Sequence, residues 1–263
     1  MNRVIALSRI LWLGVIRRKE IYVLFILLSA SFVTLISIDV FGLSGMSRYI
    51  AETGLAMAWL FGWIFAVMTG ARELPQEQTR GTIYSLLAKP VTRIEVIISK
   101  WLGAWSITCM ALLAFYILIF LMVASRGASL NIIVTMQCYL LHCILSSIIV
   151  SLSIALSTRL NSDAASTLSF VITAASFLVV PRVPQFIISE NQIKSFFLLF
   201  LYHLLPHFEV FDLRHRVVHH FDPIEWKLFI QIVLYGISLT ALFLLIAWTA
   251  FRKKMFVRGE LSQ

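Results

Sequence analysis

Long apolar runs separated by short charged segments make up this chain. Stretches free of Asp, Glu, Lys and Arg run from Ile21 to Ile38, Thr53 to Ala71, Trp101 to Ser125, Gly127 to Thr158, Ala164 to Pro181 and Leu228 to Phe251. A helix needs about 20 apolar residues to cross the hydrocarbon core of a bilayer. The fourth run is longer than one crossing needs and places its helix at about Val134–Thr158. The pattern predicts an all-α polytopic membrane protein with six transmembrane helices. A further uncharged run, Ser195 to Phe208, has 14 residues and carries Pro206 near its end. It is too short to cross and predicts a re-entrant or interfacial segment before the last helix.

Composition agrees with solvation by lipid. The chain has 263 residues, of which 60% are hydrophobic and 13% charged, against about a quarter charged in soluble domains. Its mean hydropathy is +0.90. Disorder and a disulfide scaffold are both excluded. Cys109, Cys138 and Cys143 all fall within apolar runs and build no disulfide framework. The net charge of +9 does not point to nucleic acid, because the basic residues gather at the ends of apolar runs, where they orient a membrane protein. Counting Lys and Arg puts 15 on the side of both termini and 7 on the other. The expected placement is a cell inner membrane with the N- and C-termini cytoplasmic. The first run has 18 residues, more than the roughly 7–15 of a signal-peptide core, so a retained span is expected despite a weak cleavage-like Ser29-Ala30-Ser31. Residues 1–20 interleave Val4, Ile5, Leu7, Ile10, Leu11, Trp12 and Val15 with Arg3 and Arg9, as an interfacial helix does.

The second run carries a small residue at every fourth position: Gly54, Ala58, Gly62, Ala66 and Gly70. That spacing sets all five on one helix face, where small side chains let backbones approach closely in lipid. The seam they predict lies either within the subunit or between two copies. Ser147, Ser151 and Ala155 form a shorter stripe of the same kind. Inside the spans His142 is the one ionisable acid–base group apart from cysteines. Carriers driven by their own ion gradient need intramembrane Asp, Glu or His chains, so that class is disfavoured. An acid-lined cation channel is disfavoured as well.

The segment 72–100 is the most informative. It opens with a charged run containing Pro75. Gly81 and Thr82 then lead an apolar stretch of Ile83, Leu86 and Leu87, which Pro90 stops. A second amphipathic stretch, Ile94 to Ile98, enters the next span. A short helix held between two spans suits docking to a soluble partner. Glu73 and Glu77, Arg80-Gly81-Thr82, Leu86-Leu87-Ala88-Lys89-Pro90, Thr92-Arg93 and Lys100 together resemble the signature of ATP-binding-cassette (ABC) exporter permeases of the type-two family. The resemblance runs closest to permeases grouped with multicopper-enzyme maturation and gliding motility. Leu205-Pro206-His207-Phe208-Glu209-Val210-Phe211-Asp212-Leu213-Arg214 is similar to the stretch before the last span in those permeases. Thr92 stands where Ser is common, which keeps a hydroxyl.

The resemblance covers essentially the whole chain. It implies a single permease domain over 1–263, with an elbow helix at 1–20, a coupling loop at 72–100 and an external loop at 182–227. It also implies a partner ABC ATPase subunit carrying ATP and Mg, and a second permease copy or homologue. This chain has no GxxxxGK[ST] sequence, so it is expected to be no enzyme and to hold no cofactor itself. By resemblance, the coupling contacts are Glu73, Glu77, Gly81, Thr82, Leu86, Leu87, Pro90 and Arg93.

Five of the six histidines lie between the last two spans. His215 and His219 are spaced i,i+4, and His220 adjoins them, with Glu209, Asp212 and Asp222 nearby. Zinc or copper would accept such ligands, although headgroup and packing roles are the more ordinary explanation of histidines here. Two further classes remain open: an assembly or anchoring factor that recruits an ATPase without transport, and a metal-dependent membrane enzyme built on these histidines.

Overall fold

The computed structural model describes residues 26, 30, 33, 46–79, 92–184, 199–200, 202–203 and 205–252. Five helices among them are long and apolar enough to cross a bilayer. These are α1 (Met46–Thr79), α2 (Arg93–Ser125), α3 (Ile132–Ser157), α4 (Ser162–Leu178) and, after a short α5 (Arg214–Val218), α6 (Trp226–Arg252). No strand occurs among the described residues. Helices satisfy every backbone group within one segment, which is what lipid demands. The elbow at 1–20 and the first span, 21–38, lie outside the described residues apart from isolated positions.

The helices run further than the apolar runs that announce them. α1 continues through Arg72, Glu73 and Pro75 to Thr79, where a charged loop was expected. A proline removes one backbone donor, and packing against neighbouring helices tolerates it at this depth. α2 begins at Arg93, eight residues before its uncharged run. Thr92 caps it: its side chain accepts from the Glu95 N–H, and the Glu95 carboxylate accepts from the Thr92 N–H at 2.7 Å. This capping box satisfies two of the first-turn donors reciprocally. Asn131 caps α3 and Asn161 caps α4 in the same spirit, each amide oxygen accepting from first-turn N–H groups.

α3 is the axis of the bundle. Of its most apolar window 83% is buried, against 22% for α6, and α1, α2, α4 and α6 all pack on it. The outer faces of α2 and α6 leave Met110, Ile117, Leu121, Leu234, Ile237 and Leu245 exposed, as lipid contact requires. The bundle has two ends. The proximal end bears the end of α1, the start of α2, the α3–α4 turn and the end of α6. The distal end bears Gly127 and residues 205–225.

The distal segment folds back into the bundle rather than lying over it. Its 3₁₀ turn, Phe208–Phe211, buries both phenylalanines fully, and Leu213, Val217, Val218 and Ile224 follow them inside. Of the segment expected to be re-entrant or interfacial, Ser195 to Phe208, positions 199–200, 202–203 and 205–208 are described, and the inserted structure runs on from Leu205 to Ile224.

Candidate functional site

Three regions carry the polar chemistry of the bundle: the small-residue face, the distal insertion and the proximal helix ends. The small-residue face of α1 lies wholly inside the subunit. A Cβ on Gly54 would fall 2.8 Å from the Ile119 side chain of α2. On Gly62 it would meet Leu112 and His142, both at 2.7 Å, and on Gly70 it would meet the Ser153 Cβ of α3 at 2.9 Å. Ala58 and Ala66 are fully buried between them. The stripe therefore seats α1 against α2 and α3, and of the two seams the sequence left open it is the internal one. On α3, Ser147 bonds Thr240 of α6 at 3.2 Å.

At the distal end, polar side chains pin the inserted segment. Gln137 of α3 is buried, donating to the Ile224 carbonyl at 2.9 Å and accepting from the Ile224 N–H at 3.0 Å. The Tyr235 hydroxyl accepts from the His207 N–H at 3.2 Å. Asp212 and Arg214 form a two-pronged ion pair at 2.8 and 2.7 Å. The guanidinium also lies 4.3 Å from the Trp59 ring centroid, a cation–π contact. Trp59 is about 20 Å along α1 from its distal start at 1.5 Å per residue, so the pair sits well inside the bundle. Charges at such depth persist when they pair with one another. Burial pushes the Asp212 carboxyl up, and the Arg214 hydrogen bonds and charge outweigh it, holding the group below the usual carboxylate range. Around the pair lie His142, whose Nδ1 is 3.4 Å from the Tyr116 hydroxyl, and Cys138, 3.3 Å from the same hydroxyl. An open groove of about 350 Å³ runs between the insertion and α6, lined by His207, Val210, Gln231, Ile232 and Tyr235.

The distal histidines do not gather into a metal centre. Rings of His215 and His219 stack in parallel, 6.0 Å apart. Arg48 of α1 bonds Nδ1 of His219, putting a cation where a metal would have to approach. His220 takes a left-handed backbone at φ 54° as α5 ends. Among the described residues no group of three or more His, Cys, Asp or Glu is placed to hold a metal ion.

The proximal end joins three helices. Glu73 of α1 is 1% exposed and its Oε2 accepts from Lys100 Nζ of α2 at 3.2 Å. Arg93, the first residue of α2, donates to the carbonyls of Phe251 and Arg252 at the end of α6, at 2.8 and 2.9 Å, and lies over the Phe251 ring. Cations suit a helix C-terminus, where carbonyls are left unbonded. Of the coupling residues expected from the sequence, Glu73 faces the neighbouring helix rather than an open surface, Arg93 faces α6, and Glu77 lies on the last turn of α1. Gly81, Thr82, Leu86, Leu87 and Pro90 lie outside the described residues. The sequence reading assigned no role to Gln137 or Tyr235, and it set Asp212 beside the candidate metal histidines and, with Arg214, in the stretch before the last span, without pairing the two. A lone amide within an apolar span was the available signal for Gln137.

A family model described as ABC-2 family transporter protein matches residues 15–254. The chain belongs to the ABC-2 transporter family. It is a multi-pass membrane protein and a permease subunit of an ABC transporter, a class of machine in which the permease works with an ATPase. No curated protein matches the chain in a sequence search. The family match spans α1 to α6, so the small-residue seam, the distal insertion and the proximal ties all belong to the permease domain.

Proposed function

We propose that this permease subunit forms the translocation path of an ATP-driven exporter, working as a pair of permease chains with two copies of a separate ATPase. ATP and Mg belong to the ATPase, and this chain performs no hydrolysis of its own. The membrane is the cell inner membrane, and the proximal end, with both termini, faces the cytoplasm, in keeping with 15 basic residues on that side against 7. The loop built on 72–100 docks the ATPase. Its contacts are Glu77, Gly81, Thr82, Leu86, Leu87 and Pro90, and Glu73 and Arg93 hold its two stems.

The observation that carries this reading is how residues 80–91 are offered: from the ends of two long helices joined by a buried ion pair just behind them. A loop that only held orientation by its charges needs no such base. The test is affinity purification of the tagged chain in mild detergent. A soluble protein with a phosphate-binding loop is expected at stoichiometric level, and its repeated absence overturns the proposal. Replacing Gly81 and Leu86 together with Glu is expected to abolish capture without affecting membrane insertion. Capture at the wild-type level would remove the contact assignment.

A further inference from the structure

The proximal ties join helices that sequence keeps far apart. Glu73 lies six residues before the end of α1, and Lys100 seven residues after the start of α2. At 1.5 Å per residue, both stand about 9–10 Å behind the points where residues 80–91 enter and leave. Their ion pair crosses the two stems at one level. Arg93 then ties the foot of α2 to α6 across 158 positions of sequence. Phe251, under the guanidinium, is itself fully buried in the core.

An ion pair at this place is a particular choice. A buried pair can often be replaced by apolar side chains without loss of stability, so stability alone does not call for one here. What an ion pair adds is resistance to sliding. Apolar surfaces slip past one another at little cost, whereas separating two desolvated opposite charges gives up their mutual attraction.

We propose that Glu73, Lys100 and Arg93 are positioning residues of the coupling machinery: a clasp that makes the proximal ends of α1, α2 and α6 move as one body with residues 80–91. Displacement of that segment by the ATPase then reaches the spans instead of being absorbed where the loop meets the helices. α4 meets α1 through aromatic rings, Phe170 and Phe177 against Trp59 and Trp63, and it is the element against which the clasped body moves. The inference rests on the ATPase reading above.

The test uses the full chain with its co-purified ATPase, the three native cysteines replaced by alanine. Spin labels go on exposed distal positions: Ser125→Cys with Leu178→Cys reports α2 against α4, and Tyr49→Cys with Ser125→Cys reports α1 against α2. In the unaltered clasp, ATP with vanadate shifts the first spacing and leaves the second unchanged. E73Q/K100M is expected to elute as a folded complex, capture the ATPase and hydrolyse ATP, yet lose the α2–α4 shift. E73K/K100E is expected to restore it. A full shift in E73Q/K100M overturns the clasp. Loss of capture in that variant overturns it too, by making Glu73 a partner contact. A swapped pair that captures the ATPase but behaves like the Gln/Met pair assigns the loss to packing and overturns the ion-pair reading. If the unaltered chain captures no ATPase, the function itself fails at the first step, before any clasp variant is compared.

Discussion

Gly70→Ala is the sharpest test of the internal seam. The added Cβ would stand 2.9 Å from the Ser153 Cβ, 3.0 Å from the Val150 carbonyl oxygen and 3.3 Å from the Val150 Cα. None of these atoms can swing aside by a rotamer change, so relief requires α1 and α3 to separate. α3 is hemmed in by four other helices. Overpacking a well-filled interior costs about 1–3 kcal/mol, and replacing a helical glycine by alanine returns about 0.5–1 kcal/mol. The net expectation is a loss of about 1 kcal/mol, or a midpoint lower by about 2–4 °C for a chain of this size. Gly70→Leu should lose considerably more. Gly62→Ala is the informative comparison, because the atoms it meets are the tips of Leu112 and His142, which can yield; its loss should be smaller. Ala56→Leu, on the exposed face of α1, should be neutral. The assay is the fraction of monodisperse protein in detergent after stepped heating, read by size exclusion. Gly70→Leu tolerated as well as Ala56→Leu would refute the close approach of α1 and α3.

Arg214→Met should destabilise by on the order of 3 kcal/mol, because it strands Asp212 inside the bundle, and D212N/R214M should recover most of the loss in the same heating assay. Asp212 is held below its ordinary value in the folded protein, so its contribution is fully present above the unfolded carboxylate pKa near 4 and is lost as pH falls through the lower folded value. The midpoint of the unaltered chain should therefore drop between pH 4 and more acidic conditions through this group, and D212N should lack that component of the drop. Gln137→Leu leaves the Ile224 N–H and carbonyl without their buried partner, at about 1–3 kcal/mol for each unsatisfied group. It is expected to raise amide exchange and protease cleavage at 219–225, with α1 and α2 unaffected.

The spans were legible because length and apolarity suffice to mark them, and the five described helices fall on five of the runs. Their ends were not. Arg72, Glu73, Pro75 and Gln76 look like a loop, yet α1 runs on through them, since neighbouring helices supply partners that local sequence does not show. The α2 start was readable in principle: Thr92 and Glu95 have capping-box spacing. The stripe from Gly54 to Gly70 was visible as a period of four, but whether it met another copy or α3 depended on packing. Histidine spacing suggested a metal site because i,i+4 pairs share a face, and it could not reveal Arg48, 171 positions away, occupying His219. Gln137 with Ile224, and Arg93 with Phe251, are likewise long-range pairs that no local pattern encodes.

α3 is rich in serine, and the way those hydroxyls are spent divides it in two. From the distal end to just past the middle, Gln137 and Ser147 bond other elements, Ser146 donates to the Cys143 carbonyl of α3 itself, and the Trp101 and Trp105 indoles donate to α3 carbonyls. Farther along, Ser151, Ser153 and Ser157 each donate back to a carbonyl of α3 itself. Among the described residues these three hydroxyls bond only within α3, so at their level its fit to the neighbouring helices is one of shape, like a spindle in a dry bearing. A small turn or slide there strains contacts but breaks none of these hydrogen bonds, whereas the same motion at the distal half must break several. The axis of the bundle is thus tied to its neighbours by hydrogen bonds toward one end and, at these three serines, met by fit toward the other, the end that carries the clasp.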